Sequence, residues 1–306
     1  MGEGDKDSLR EFNDIGNTLH SGQKQNLECA LYVVATPIGN LRDISLRALD
    51  VLMSADAIAA EDTRNTAHLL THYGIAAQRL MALHQHNERG AAEKIIALLA
   101  QGLSVALVSD AGTPAVSDPG ALLVEAVRAA GYRVIPIPGA NAALAALSAA
   151  GLPAPHFLFY GFLPNKSAAR CRELQDIAAL PFTLVFYEAP HRILECVTDL
   201  QNVFGGERQI VFAREITKLF ESIHRCTLAE AMAWLNADAN NQRGEFVLLI
   251  SSAAEKQEGL DAEAERILTL LLKDLPLKQA VQLAVQITGL GRNELYQRAL
   301  EIKGQE

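Results

Sequence analysis

Six short stretches place acids, bases, hydroxyls or small residues directly after apolar, strand-like runs. They are Thr36-Pro37-Ile38-Gly39-Asn40-Leu41-Arg42-Asp43, Glu61-Asp62-Thr63-Arg64, Ser109-Asp110-Ala111-Gly112-Thr113-Pro114-Ala115-Val116-Ser117-Asp118-Pro119-Gly120, Pro138-Gly139-Ala140-Asn141, Tyr187-Glu188-Ala189-Pro190-His191-Arg192 and Ala213-Arg214-Glu215-Ile216-Thr217-Lys218. In an open α/β sheet a ligand binds outside the carboxyl ends of the strands, so these stretches occupy the edge where chemistry is expected. Ala111 and Gly112 would let the backbone approach a ligand closely, and the neighbouring prolines would fix its path. Helix amides after Pro138 could hold a carboxylate or ribose oxygens. An apolar run, 182–186, that leads into Glu188, His191 and Arg192 reads as functional rather than as a surface turn with Pro190 opening a helix. Glu61 to Arg64 fits ligand contact and also a helix cap by Asp62 or Thr63 with Arg64 solvated. Residues 213–218 read either as a reactive turn or as a solvated hairpin. Neither G-x-G-x-x-G nor G-x-x-x-x-G-K-[ST] occurs, which argues against NAD, FAD and ATP. His68, His72, His84 and His86 have no cysteine or carboxylate cluster beside them, so they read as surface or helix-face histidines, and no metal is expected.

Strand and helix runs alternate around these stretches. Strands are expected at 31–36, 57–60, 79–83, 103–108 and 133–137. Helices are expected at 45–53, 66–73, 91–100, from Asp118 as N-cap with Pro119 at the first position to about 131, and at 141–150. Such alternation with short links argues for a mostly parallel sheet covered by helices. Residues 151–155, rich in glycine and proline, mark a domain boundary. A second α/β unit follows, with strands at 156–160, 182–187, 209–213, 220–226 and 245–250 and helices at 167–178, 190–204 and 228–236. After Ser252 come three short helices, 261–273, 276–287 and 291–303, whose turn at Thr288-Gly289-Leu290-Gly291 resembles a helix–turn–helix. A helical hairpin serving as a lid or dimer contact shares that pattern. The expected organisation is a disordered tail (1–28), an N-terminal α/β domain (29–151), a second α/β domain (152–252) and a helical extension (253–306).

With 49% hydrophobic and 21% charged residues the chain can build real cores. No run is apolar for long enough to span a bilayer and no signal-peptide pattern opens the chain, so no membrane partner is expected. Cys29, Cys171, Cys196 and Cys226 are widely spaced, as in reduced thiols of a cytoplasmic protein. The net charge of −9 argues against a generally basic nucleic-acid glove. Residues 161–218 hold seven bases and seven acids, so a nucleic-acid face there would need spatial segregation of charge.

Taken together, residues 34–43, 61–64, 109–120, 187–192 and 214–218 resemble the small-subunit ribosomal RNA methyltransferases of the tetrapyrrole methylase superfamily. The match runs from about Leu31 to the end of the chain. The resemblance implies an α/β fold of two domains with S-adenosyl-L-methionine (AdoMet) in the cleft between them, and a homodimer. It further implies 2′-O-methylation of a cytidine ribose in the decoding region of 16S rRNA, on the assembled small ribosomal subunit. Where the superfamily has Gly-Asp-Pro, this chain has Ser109-Asp110-Ala111, so only Asp110 matches by identity. The implied AdoMet contacts are Pro37, Asp110, Gly112, Thr113, Asn141 and Ala142, with Tyr187 closing the cleft; at Asn141 and Ala142 the small hydroxyls of the relatives are missing.

For transfer to a ribose hydroxyl, placing the oxygen in line matters most, and loss of its proton helps. The expected proton acceptors are Glu188, His191 and Glu215, with Lys218 or Arg192 stabilising negative charge on oxygen. Asp62, Arg64, Lys166, Arg192, Arg214 and Lys218 are the expected substrate contacts, the cations meeting phosphates. Two other readings compete. One is methylation of a tetrapyrrole on the same fold with the same cofactor. The other is a nucleic-acid-binding regulator using the C-terminal hairpin, against which residues 260–306 carry six bases and seven acids.

Overall fold

The computed structural model describes residues 26–76, 79–84, 87–153, 156–253 and 262–304. Most of the expected tail, through residue 25, lies outside the described residues, as does His86. Glu28, at the end of that span, is tied down by accepting from the Tyr32 hydroxyl and by an ion pair with Arg133.

The first sheet holds β1 (Ala30–Val34), β2 (Ala57–Ala60), β3 (Leu80–Ala82), β4 (Val105–Val108) and β5 (Arg133–Ile137). All pairs are parallel, in the order β3-β2-β4-β1-β5. Because both faces are covered, the central strands are apolar throughout, and alternate residues feed two different cores. Ala30, Tyr32, Val34, Ile58, Ala106 and Val108 meet α1 (Leu46–Ser54) and α2 (Thr63–His72). Leu31, Ala57, Ala59, Val105 and Leu107 meet α3 (Glu88–Leu99) and α4 (Ala121–Ala129) on the other face. The chain therefore leaves β1 toward one face and its neighbour β4 toward the other. That divergence opens a crevice between their carboxyl ends.

Helix starts show how local sequence fixes these elements. Ser45 caps α1 by accepting from Ala48 N, and Asp62 caps α2 by accepting from Arg64 N at 2.8 Å. The expected cap at Asp118 is not made. Gly120 occupies the N-cap of α4 at φ +130°, and the buried Glu88 carboxylate reaches across from α3 to accept from Gly120, Leu122 and Leu123 amides at 2.8–3.3 Å. An anion at a helix N-terminus satisfies amides that have no partner within the helix.

The second sheet holds β6 (Phe157–Phe162), β7 (Thr183–Glu188), β8 (Gln209–Arg214), β9 (Ser222–Thr227) and β10 (Phe246–Ile250), in the order β6-β7-β10-β8-β9. Only β6 and β7 run parallel; the other pairs are antiparallel, because β8 and β9 form a hairpin and β10 enters between β7 and β8. One face is covered by α6 (Ser167–Ile177), α7 (Ile193–Phe204) and α8 (Leu228–Ala237). The helix expected from Pro190 begins instead with a 3-10 turn, Pro190–Arg192, before α7. On the opposite face Val185, Val211, Ala213, Val247 and Leu249 pack against α5 (Ala142–Ala149), the helix that follows β5 of the first sheet.

The described residues form two compact units, one through Ala253 and one spanning 262–304. In the second, α9 (Ala262–Asp274), α10 (Leu277–Thr288) and α11 (Arg292–Gly304) enclose a small core of Leu268, Val281, Ala284, Leu295 and Ala299. Gly289 ends α10 in the left-handed region, as the sequence suggests.

Candidate active site between the two sheets

The loops after β1, β4 and β5 are laced together. Thr36 and Gly112 exchange backbone hydrogen bonds of 2.8 and 3.0 Å, an isolated bridge joining the loops at the crevice. Thr36 Oγ1 donates to Ser109 O, and Thr113 Oγ1 donates to Ala140 O in the loop after β5. Gly112 stands at φ +79° with Ile38 only 3.3 Å from where a Cβ would lie, so a side chain there would be strained and crowded.

The second sheet supplies the opposing wall. An added Cβ at Gly39 would meet Lys218 and Thr217, and one at Gly161 would meet the Ser117 hydroxyl, so the loops after β1 and β4 each pack closely against the second sheet. Among the described residues, the non-glycine positions with positive φ are Ala115, Ser117, Glu215 and Thr217. All four lie in the two loops that make these contacts, where strained backbone commonly marks a functional site. Tyr187 crosses the same boundary. Its hydroxyl accepts from Ala143 N at the start of α5, and burial, joined by the nearby Asp118, raises its pKa above the ordinary value.

Carboxylates converge at the β2–β4 edge. Asp110 accepts from Asp62 N at 3.1 Å and from Asn65 Nδ2 at 2.9 Å, and Asp110 N donates to Glu61. Burial pushes Asp118 up to about 6, with the Glu61 charge adding to it and the Ser109 hydroxyl partly offsetting it. Glu61 is also raised, chiefly by burial. Asp62 goes the other way, down to about 2, because the Arg64 side chain donates to it. A cavity of about 440 Å³ opens beside this cluster, between the loop after β1, the loop after β4 and α2. Its polar lining includes the buried Thr36, Thr66 and Ser109 together with Asn65, His68 and His72.

The expected site residues divide sharply. Pro37, Asp110, Gly112, Thr113, Asn141, Ala142 and Tyr187 lie on the laced loops, at the start of α5 or on the strand end facing them. Asn141 is itself the N-cap of α5, spending its side chain on Leu144 N. Glu215 and Lys218 form an ion pair at 2.9 Å in the β8–β9 turn, with Lys218 also bound to Glu245. Burial works against both charges, but hydrogen bonds from Glu245 N and Lys218 hold Glu215 below its ordinary range. Those to Glu245 and Glu215 likewise keep Lys218 protonated.

Glu188, Arg192 and Arg214 do not reach the crevice. Glu188 shares the strand face of Leu184 and Phe186, which is covered by α7, and is 2% exposed there, paired with Arg192 at 3.3 Å. Arg192 spends its other donors on Leu163 O, Pro164 O and Asn165 Oδ1. Arg214 donates to Ser222 Oγ and Arg243 O, bracing the hairpin. His191, Lys166 and Arg64 are exposed. Sequence reading missed Glu61 and Asp118 as members of one carboxylate group, and it set aside His68 and His72. The only available signal for the histidines is their i,i+4 spacing, which puts both on one face of α2.

An all-parallel sheet, whose carboxyl-end loops are laced together, faces a mixed sheet and defines an α/β enzyme with a crevice between the two. The sequence profile of the Tetrapyrrole (Corrin/Porphyrin) Methylases matches residues 30–232, and the chain belongs to that family. A second profile, described as the RsmI C-terminal HTH domain, matches residues 258–303. The chain is 54% identical over 276 residues to the ribosomal RNA small subunit methyltransferase I of Pseudomonas aeruginosa, covering 90% of this chain and 98% of that one. It is 51% identical over 279 residues to the protein of the same name from Escherichia coli O157:H7, covering 91% and 97%. Among solved structures it shares the fold of the methyltransferase CobJ, with a TM-score of 0.56, 24% identity, and coverage of 75% of this chain and 97% of that one.

Proposed function

We propose that this chain is an AdoMet-dependent methyltransferase acting on small-subunit ribosomal RNA, transferring methyl to the 2′ oxygen of a cytidine in the decoding region. Support comes from relatives of that name about half identical over nearly their whole length. The observation that carries the chemistry is the Thr36–Gly112 bridge, which sets two glycine-bearing loops edge to edge, with Tyr187 reaching from the second sheet to Ala143 N at the start of α5. A Cβ at Gly112 would intrude on that cradle, and the carboxylates beside it suit a ligand with a cationic sulfonium. Pro37, Asp110, Gly112, Thr113, Asn141, Ala142 and Tyr187 are the residues that would hold AdoMet. When bound, AdoMet supplies an electrophilic methyl group.

The chain's own contribution is to place the ribose hydroxyl and take its proton. Asp118, raised to about 6, is matched to accept a proton near neutral pH, whereas Glu188 lies on the covered face away from the crevice. Lys218 stays cationic and can stabilise negative charge on the oxygen. Arg64 and Lys166, both exposed, are the phosphate contacts in this reading. Leu219 (90% exposed), Phe220 (68%) and Ile223 on the β8–β9 hairpin form an apolar patch that a second copy would cover, consistent with a homodimer. The place of work is the cytoplasm, with its ribosomal subunits.

The test offers labelled AdoMet and the protein to small subunits from cells lacking this modification, to naked 16S rRNA and to a precorrin-type tetrapyrrole. Label on a ribose 2′ oxygen of the subunit is the expected result. Label on the tetrapyrrole alone would move the chain to the other branch of the family.

A further inference from the structure

We propose that the cavity beside α2 receives the unstacked nucleoside of the RNA substrate, so that the target base and the cofactor occupy opposite sides of the laced loops. The inference rests on the rRNA methyltransferase reading above. In the sheet order β3-β2-β4-β1-β5 the bridge lies between β4 and β1. Thr113, Asn141, Ala142 and Tyr187 stand on its β5 side, toward the second sheet. The cavity, lined among others by Pro37, Leu41, Asn65, His68, His72 and Asp110, opens on its β2 side. Only Pro37 and Asp110 belong to both groups. A ligand seated in the cavity would therefore abut the cofactor compartment at those two residues. A nucleoside whose ribose must meet a methyl donor while its base is held elsewhere needs this arrangement.

Size and chemistry both suit a nucleoside. About 440 Å³ lies near the small end of the roughly 300–1,000 Å³ typical of small-molecule pockets. Enzymes and RNA-binding proteins that read an unstacked base use aromatic faces together with hydrogen-bonding groups at its edge. Here two imidazoles one helical turn apart supply faces and ring nitrogens, and Leu41 and Leu69 supply apolar surface. The Asn65 amide and the Asp110 carboxylate sit together at 2.9 Å. A carboxylate accepts from the exocyclic amine of cytosine and repels the carbonyl that uracil carries at that position. The wall is held in place: the Tyr73 hydroxyl at the end of α2 donates to Leu41 O, fastening the rim to the helix. Burial, with Asp43 adding to it, pushes that phenol up to about 12, so the donor is kept at any physiological pH.

The experiment compares wild type, His72→Ala, the double variant His68→Ala/His72→Ala and His72→Phe. Methyl transfer to small subunits gives kcat and KM, and calorimetry gives the AdoMet Kd. Cytidine 5′-monophosphate is titrated while the imidazole signals are followed by NMR. The expected result is a loss of kcat/KM on the order of tenfold per removed ring, the scale of base–aromatic stacking, with most of it restored in His72→Phe. The AdoMet Kd stays unchanged, and the nucleotide moves the His68 and His72 signals in the wild type. A parallel weakening of AdoMet binding would overturn the proposal by making the cavity the cofactor's. Wild-type transfer rates in the double variant would overturn it too. Failure of the underlying reading is distinguishable: the wild type would leave rRNA unlabelled while the nucleotide still shifted both histidines, which supports the pocket alone.

Discussion

Replacing Asp118 with asparagine should stabilise the protein above pH 6 and leave it nearly unchanged at pH 4. Burial, reinforced by the Glu61 and Asp110 charges, raises this carboxyl from 3.8 to about 6. A carboxyl with a folded-state pKa above its unfolded value supports the fold while protonated. That contribution is complete below about pH 4 and is lost as pH rises through 6. A rise of about two decades corresponds to ~3 kcal/mol for a fully shielded group. Asp118 is half-buried, so solvent screening leaves roughly half, about 1.5 kcal/mol, for the asparagine to recover at pH 7.5. In a chain of this size that is a Tm gain of about 2–3 °C. Thermal unfolding of both proteins at pH 4 and pH 7.5 reads it directly. An equal Tm difference at the two pH values, or a variant less stable at pH 7.5, would refute the reasoning. The same variant should lose methyl transfer if Asp118 takes the hydroxyl proton.

Three further substitutions test other parts of the structure. Arg170→Ala removes a fully buried guanidinium that holds Asp199 at 2.7 Å and should cost ~3–5 kcal/mol in a urea titration; adding Asp199→Leu should recover part of that. Glu88→Ala strips three amide partners from the start of α4 and should cost about 1–3 kcal/mol, read as a lower urea midpoint. Glu188→Gln weakens the buried pairing with Arg192 and should cost ~1–3 kcal/mol of stability while methyl transfer persists; loss of kcat with an unchanged Tm would restore Glu188 to the reaction.

How much of this was legible in the sequence depended on which signal each residue carried. The order of elements followed from periodicity, because buried parallel strands such as β4 are unbroken apolar runs between glycine-bearing turns. The Ser45 and Asp62 caps were also readable, since each needs only its own helix. Asp118 misled because the group that caps α4 comes from Glu88, 32 residues before the Gly120 amide it binds. No local pattern announces such a contact. Glu188 misled for a different reason. Residues 184–186 are apolar on both faces of β7, so nothing in the strand says which side meets the crevice and which meets α7. Arg192 and Arg214 looked available as cations, yet backbone carbonyls consume their donors. The carboxylates of Glu61 and Asp118 lie 57 positions apart, and only the β2–β4 pairing brings their strand ends together.

The packing of α5 governs how the chain can be divided. This helix follows the last strand of the first sheet, yet it fills the face of the second formed by Val185, Val211, Val247 and Leu249. A polypeptide cut at Gly151 would keep α5 with a sheet it does not cover and leave the other fragment with a bare apolar wall. Neither piece is expected to fold alone. Mixed together they should reassociate through that helix, as a split protein does, with the fragments' affinity set by the alanines of α5 rather than by the laced loops.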